Sequence, residues 1–405
     1  MKVTYSLPIL LLLSVLCASG VRAATETASI AETASIATHW FTTYYVSALG
    51  SDANSGKSAS APLLTMSSAL SKASSGDTIS VMPGQYRGPL NVGLVIEDGI
   101  HIQAYSSDAR PIFRGDQNTV WRFVQGSSSV SGIDIVGAGT ALLLDGGKLS
   151  VKNSNINETG TAVAMSSTNA TSLSVTASTF LTCANHCLNL CSSSSSAQSS
   201  IKPCSGSQVT LSDLFVSSGS TGNLGNLVVG SGVTVTAQRC TFGSFTGLSS
   251  SSTSASHSVS NLNGDLRMTA CTVENAYGYN TGAGIYQSGD QARTSLVNCL
   301  ILNNQLSGIS TNYLYGAGAY CASGSLLVQG SNFTDNAVGY ASYGGYGGAI
   351  YSGASCSASV YSTTFQDNSV YQGQGGALAC GAKGTIAWYD CTFTDNSPEG
   401  AYNCK

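Results

Sequence analysis

Between residues 149 and 393 the chain repeats one short pattern: apolar, any, apolar, two spacers, then Ser, Thr or Cys, one spacer, and a last apolar residue. The copies are Leu149/Val151/Ser154/Ile156, Leu173/Val175/Ser178/Phe180, a looser Val209/Leu211/Phe215, Val235/Ala237/Cys240/Phe242 and Leu266/Met268/Cys271/Val273. A frayed Leu296/Cys299/Ile301 follows, then Leu326/Val328/Ser331/Phe333, Ala358/Val360/Thr363/Phe365 and Ile386/Trp388/Cys391/Phe393. Their last apolar residues lie 24 to 35 positions apart. Two apolar residues at period two, followed by a corner, describe a strand rather than a helix. A repeat of this length marks a solenoid in which each unit buries its face on the next. An antiparallel sandwich would not need the same residue types in every unit. A second strand recurs in "GAGIY", "GAGAYC", "GGAIYS" and "GGALAC", where small residues let the chain turn close beside its neighbour. The expected fold class is all-β, a single-stranded parallel β-helix. About a dozen coils at ~4.8 Å each make a rod on the order of 55 Å long.

Charged residues are 9% of the chain and the net charge is −4, which excludes an electrostatic case for nucleic acid or an anionic membrane. Apolar residues, at 42%, recur with a period and can be buried, which argues against disorder. Residues 1–23, "MKVTYSLPILLLLSVLCASGVRA", read as a signal peptide. No second long apolar run and no hydrophobic C-terminal tail occur, so a secreted chain without a membrane span is expected. Residues 24–40 carry the tandem "ETASIAETASIA" and read as a flexible leader; the β-helix domain is expected over 41–405.

The segment from residue 41 to about 90 contains "YYVS", "GSDANSG", Leu64, Ala69, Leu70 and Ala73 at helical spacing, and "GDTISVMPGQY". It resembles the N-terminal cap of right-handed parallel β-helix proteins of the pectin-lyase-like group. The resemblance implies a right-handed helix with a short capping α-helix. It implies no activity, because lyases, epimerases and non-catalytic proteins of that group share the cap. The repeats "GGAIYSG…TTFQDN" and "GGALACG…CTFTDN" are similar to those of polymorphic outer-membrane-type surface proteins, which implies a rod engaged in adhesion.

Thirteen cysteines become twelve once Cys17 leaves with the signal, and an even number in an oxidising compartment favours disulfides. Cys183, Cys187, Cys191 and Cys204 cluster around a Ser-rich loop with His186 and are expected to form two disulfides rather than a tetrahedral zinc site. Aligning "GALAC" with "GAYNC" pairs Cys380 with Cys404, whereas Cys240, Cys271 and Cys299 should stack as buried thiols. Sequons at Asn157, Asn169 and Asn332 are glycosylation candidates.

Asn304, Asn336, Asn368 and Asn396 each stand three places after the anchor and form a structural column. The adjoining Asp335, Asp367 and Asp395 either splay into water or are bridged by Ca²⁺, the one cofactor the sequence raises. Fourteen of nineteen tyrosines follow residue 271. Tyr286, Tyr320 and Tyr351 lie near the repeated strand, while Tyr277, Tyr279, Tyr313, Tyr315, Tyr340, Tyr343, Tyr346 and Tyr371 fall in Gly-rich loops without apolar partners in period. Such rings either stack on sugars or a protein partner, or shield coil edges.

For catalysis the outward strand positions are bland: Ser150, Ser174, Thr210, Thr236, Arg267, Ser295, Leu327, Ser359 and Ala387. No carboxylate pair of the kind a glycoside hydrolase needs is evident; the nearest charged candidates are Arg122, Asp134, Asp145, Lys148 and Lys152. The expected function is therefore a secreted, non-catalytic β-helix that binds extracellular glycans or surface proteins, or builds a coat or matrix. The alternative is a polysaccharide lyase, glycoside hydrolase or epimerase. The open edge of the last coil is expected to allow pairing with another chain.

Overall fold

The structure is a computed structural model that describes residues 41–166, 171–191, 204, 206–218, 225–246, 257–279, 281–307, 313–339, 344–398 and 400–404. The signal peptide, the leader, Asn169, Tyr340 and Tyr343 lie outside these residues.

Through the middle of the chain each coil is three short strands joined by two tight corners and a longer turn, each pairing in parallel with its equivalents before and after; from Phe245 onward a further strand of two or three residues joins each coil in a five-stranded ladder. In the first sheet, Lys148–Lys152 pairs with Ser127–Ser131 on one side and Ser172–Thr176 on the other. Leu149 and Val151 point inward onto Leu173 and Val175, while Ser150 faces out beside Ser174. That outward column continues in register through Thr210, Thr236, Arg267, Ser295, Leu327, Ser359 and Ala387. The second sheet holds 12 strands of two or three residues, such as Asn155–Asn157. Its inward positions form one buried file through Ile156, Phe180, Val216, Phe242, Val273, Ile301, Phe333 and Phe365. Phe333, Phe365 and Phe393 stack at 5.4 and 5.1 Å between ring centroids. The third sheet contains Thr140–Leu144, Thr161–Met165 and His186–Leu190. Because parallel crossovers are right-handed, the three sheets close a right-handed parallel β-helix. In the C-terminal coils the third sheet runs straight into the first, as in Ala319–Gln329 and Ile350–Tyr361.

The looser sequence copy is corrected by this register. Val216, not Phe215, is the inward residue that pairs with Phe180, and Phe215 is 42% exposed. The short helix also begins later than its spacing predicts: it spans Met66–Leu70, capped by Thr65, whose side chain accepts from the Ser68 amide. Met66 and Ala69 are buried, and Leu64 lies outside the helix.

The corners explain the repeated residue types. Between the first and second sheets one residue per coil is left-handed: Asn153, Ala177, Asp213, Arg239, Ala270, Asn298, Ser362 and Asp390 have φ between 47° and 55°. For a residue with a Cβ this costs about 1–2 kcal/mol, so the surroundings must fix it. Except after Asp213, where Leu214 follows, the next residue does so with a short donor. Ser154, Ser178, Ser331 and Thr363 hydroxyls give hydrogen bonds of 2.8–3.0 Å to the carbonyl two residues back. The Cys240, Cys271, Cys299 and Cys391 thiols make the same bond at 3.3–3.4 Å. Ser, Thr and Cys interchange because each is a small side chain ending in a donor.

The second corner repeats the device with acids. Asp335, Asp367 and Asp395 have φ of 54°, 55° and 52° and are exposed, as Glu158, Thr182, Asn275 and Asn303 are left-handed in earlier coils. The position demands left-handed backbone, which Asp and Asn tolerate best. Among the described residues no group of three or more acids, histidines or cysteines is gathered to hold an ion. The following asparagine is buried and fully bonded. Asn304, Asn336 and Asn368 each donate from Nδ2 to the Oδ1 of the next asparagine at 2.9 Å. Each also donates to the carbonyl of the preceding coil, Val273, Ile301 or Phe333. Each Oδ1 from Asn336 to Asn396 further accepts the backbone N–H of the asparagine before it.

Removing one rung strands two or three buried polar groups, each costing about 1–3 kcal/mol. Asn336→Leu is therefore expected to lower stability by about 3 kcal/mol or more, and Asp335→Asn to leave it within ~0.5 kcal/mol. Denaturant unfolding midpoints of the two variants check this; equal midpoints would contradict the ladder.

Candidate functional site

Near the C-terminal end the third sheet turns aromatic on its outer side. Tyr286, Tyr320 and Tyr351 are register partners in successive coils, with ring centroids 5.6 and 5.5 Å apart. Directly before them the chain carries a paired small-residue step. A Cβ on Gly284, Gly318 or Gly348 would lie 2.2–2.6 Å from a carbonyl oxygen of the next coil, so only glycine lets the coils close here. At the inner end of the row, His257 stacks on Tyr286 at 4.2 Å and 4° and donates from Nδ1 to the Gly282 carbonyl at 2.9 Å. Burial pushes the His257 imidazole down to about 4, so it is neutral near pH 7.

A second layer covers this row. Leu314–Tyr315 and Gly345–Tyr346 form a small parallel ladder of their own, with Tyr315 opposite Tyr346. Tyr315 stacks on Tyr346 at 5.8 Å and 13° and sits 4.5 Å from Tyr351. Tyr313 stands 5.6 Å from Tyr346, and Tyr402 lies 5.7 Å from it at 28°. Tyr313, Tyr315, Tyr346, Tyr351 and Tyr402, with Cys380 and Gly381, line a cavity of about 250 Å³. A Cβ on Gly381 would lie 3.0 Å from the Tyr351 hydroxyl, so this glycine leaves that group its room. None of the described lining residues carries a formal charge.

Burial, and then the neighbouring phenols, push Tyr320 and Tyr351 up to about 12, and raise Tyr315 and Tyr346 in the same direction. Tyr315, Tyr346 and Tyr351 thus present protonated hydroxyls beside their ring faces at any ordinary pH. It can accept an apolar face bordered by hydrogen-bonding groups; the described lining offers no general base.

Of the loop tyrosines named from sequence, Tyr313, Tyr315 and Tyr346 meet in this cavity. The expectation that they lack partners in period is wrong for Tyr315 and Tyr346, which pair in register. Tyr277, in another small ladder, and Tyr279, just beyond that strand, form an edge-to-face pair 5.5 Å apart. Tyr371 is 54% exposed and does not line the cavity. Tyr402 was missed because aligning "GALAC" with "GAYNC" sets it level with the buried Leu378, whereas the register places it opposite Ala379, in the column of Tyr351.

The charged candidates are distributed over three faces. Arg122 pairs with Asp145 on the third sheet side, and that contact holds the Asp145 carboxyl below its usual range. Asp134 pairs with Arg110 at 3.3 Å and lies in the second sheet. Lys148 and Lys152 end a strand of the first. Asn157 accepts from the Glu158 amide, and its sequon Thr159 is buried; Asn332 is exposed within a strand.

Disulfides join Cys183 to Cys187, Cys191 to Cys204, Cys321 to Cys356 and Cys380 to Cys404. The Cys321–Cys356 bridge was not anticipated. Cys240, Cys271 and Cys299 are free and buried. The Cys240 and Cys299 thiols are pushed up by the hydrogen bonds they share with Cys271 and by burial.

No protein-family model and no curated protein matches the chain. Among solved structures, the chain is similar to the pectate lyase Pel9A, at 16% identity over 71% of this chain and 75% of that one, TM-score 0.46. An alginate lyase from Paenibacillus sp. str. FPU-7 is similar at 13% identity over 83% and 94%, TM-score 0.43. The Dettilon tailspike protein is similar at 13% identity over 83% and 63%, TM-score 0.36.

The phenols set an alkaline limit. Their folded values exceed the ordinary value of about 10, so the stability they contribute is complete below pH 10 and is lost as pH rises from 10 to 12. Denaturation midpoints across that window are expected to fall, and the Tyr320→Phe/Tyr351→Phe double variant to fall less steeply.

Proposed function

We propose that the tyrosine cavity is a glycan-binding site and that the chain acts as an exported, non-catalytic carbohydrate-binding β-helix. The observation that carries this reading is the convergence of five tyrosines on one uncharged cavity. A pyranose ring has an apolar C–H face and a rim of hydroxyls; an aromatic ring takes the first and a phenol O–H the second. The missing charge favours neutral sugars, since a uronate polymer calls for a cationic partner. A volume of about 250 Å³ lies just below the usual ~300–1,000 Å³ of small-molecule pockets. It suits a single sugar ring, with the rest of a glycan lying outside. Four disulfides fit an oxidising, extracellular setting. Among the described residues no helix is long and apolar enough to cross a membrane.

The test is retention of the secreted protein on neutral and acidic polysaccharides, scored together with new chain ends. Retention on a neutral polymer without new ends is expected. Tyr346→Ala should weaken it about tenfold, equivalent to ~1.4 kcal/mol, and Tyr389→Ala, exposed and outside the cavity lining, should not. New reducing or unsaturated ends would overturn the proposal in favour of an enzyme.

A further inference from the structure

We infer that the Cys380–Cys404 disulfide is a redox latch that completes the glycan site, an inference that rests on the binding role proposed above. Tyr402 forms one wall of the cavity, yet it is held by little else. Its strand, Ala401–Tyr402, is two residues long and pairs only with Leu378–Cys380 among the described residues. Both of its residues are exposed. Beside this short ladder, the hydrogen bonds at this end include Leu378 N–H to the Gly400 carbonyl at 3.3 Å and Asn403 Nδ2 to the Cys380 carbonyl at 3.2 Å. The covalent bond two residues beyond Tyr402 returns the chain to Cys380, itself part of the cavity wall.

Exposure singles out this bridge. Cys183, Cys187, Cys191, Cys204, Cys321, Cys356 and Cys380 are all buried; of the eight bridged cysteines, only Cys404 is partly exposed. Attack by a thiolate reductant on the Cys404 sulfur breaks the S–S bond, and Cys380 leaves as a thiolate that takes up a proton. A second reductant thiol then attacks the mixed disulfide and releases Cys404. The balance is one protein disulfide and two reductant thiols giving two cysteine thiols and one reductant disulfide. The other bridges do not substitute for it. Cys321 and Cys356 sit in strands of 11 and 12 residues that pair along most of their length, so that coil keeps its shape without the bond. Once Cys404 is free, Tyr402 loses its tether, and the stacked face of Tyr346 loses its outer neighbour.

The experiment titrates the intact secreted chain with dithiothreitol, alkylates the freed thiols and maps them. Neutral-glycan binding and amide exchange over residues 400–404 are measured at each step. Cys380 and Cys404 should be labelled first, exchange should rise there, and glycan binding should weaken about tenfold. Reoxidation should restore it, and Cys404→Ser should match the reduced chain without reductant. Unchanged binding after selective reduction, or earlier labelling of another pair, would overturn the latch. If the oxidised chain binds no glycan at all, the site assignment itself fails, and the gating role fails with it.

Discussion

Parallel pairing in register is the interaction on which everything else rests. Each coil hands its hydrogen bonds to the next one at the same positions, so a side chain at one level meets its own equivalent above and below. That geometry turns composition into columns: Leu149 on Leu173, Ile156 on Phe180, Ser150 on Ser174. A column rewards any residue that bonds or packs with a copy of itself. Phenylalanine, asparagine and tyrosine do so here in three different ways: face to face in the core, amide to amide at a corner, and ring to ring outside.

The same stacking requires the chain to turn sharply twice per coil without glycine at each turn. A left-handed residue supplies the bend, and the donor that follows it holds the carbonyl turned aside. The corner column of Ser, Thr and Cys is thus one solution written in three residue types. Cys240, Cys271 and Cys299 are accounted for as thiol versions of a serine corner, each donating to the carbonyl two residues back.

Much of the fold was legible because the inward pair at period two survives in most coils, Thr294 standing in for the first apolar residue in the frayed one, and the asparagine column was legible because its spacing from the anchor never changes. What escaped had a physical reason in each case. Phe215 resembled the anchor by type, but the register gives that role to Val216. Cys321 is opposite Ser352, and Cys356 is opposite Gly324, so the bridged pair does not align as equivalents; an irregularity between Cys321 and Ser323 brings them together. The tyrosines were visible as a crowd but not as a site. Their convergence depends on a ladder of two-residue strands, too short to leave a period. Arg122, Asp134 and Lys148 showed the opposite failure: near one another in sequence, they are carried to separate faces by the three-sided coil.

The asparagine ladder has a direction. Each inner rung turns its side-chain oxygen toward the preceding coil, gives one amide hydrogen to each side and its backbone N–H to the following asparagine, and successive seams from Asn304 to Asn396 are chemically alike. A seam of this kind does not record its own place in the series. Evolution can therefore excise or duplicate a whole coil within this stretch and rejoin matching ends, changing the rod's length in discrete steps. A deletion of part of a coil has no such freedom, because it would leave each strand facing the wrong equivalent. Length variation among descendants of such a chain should come in whole turns.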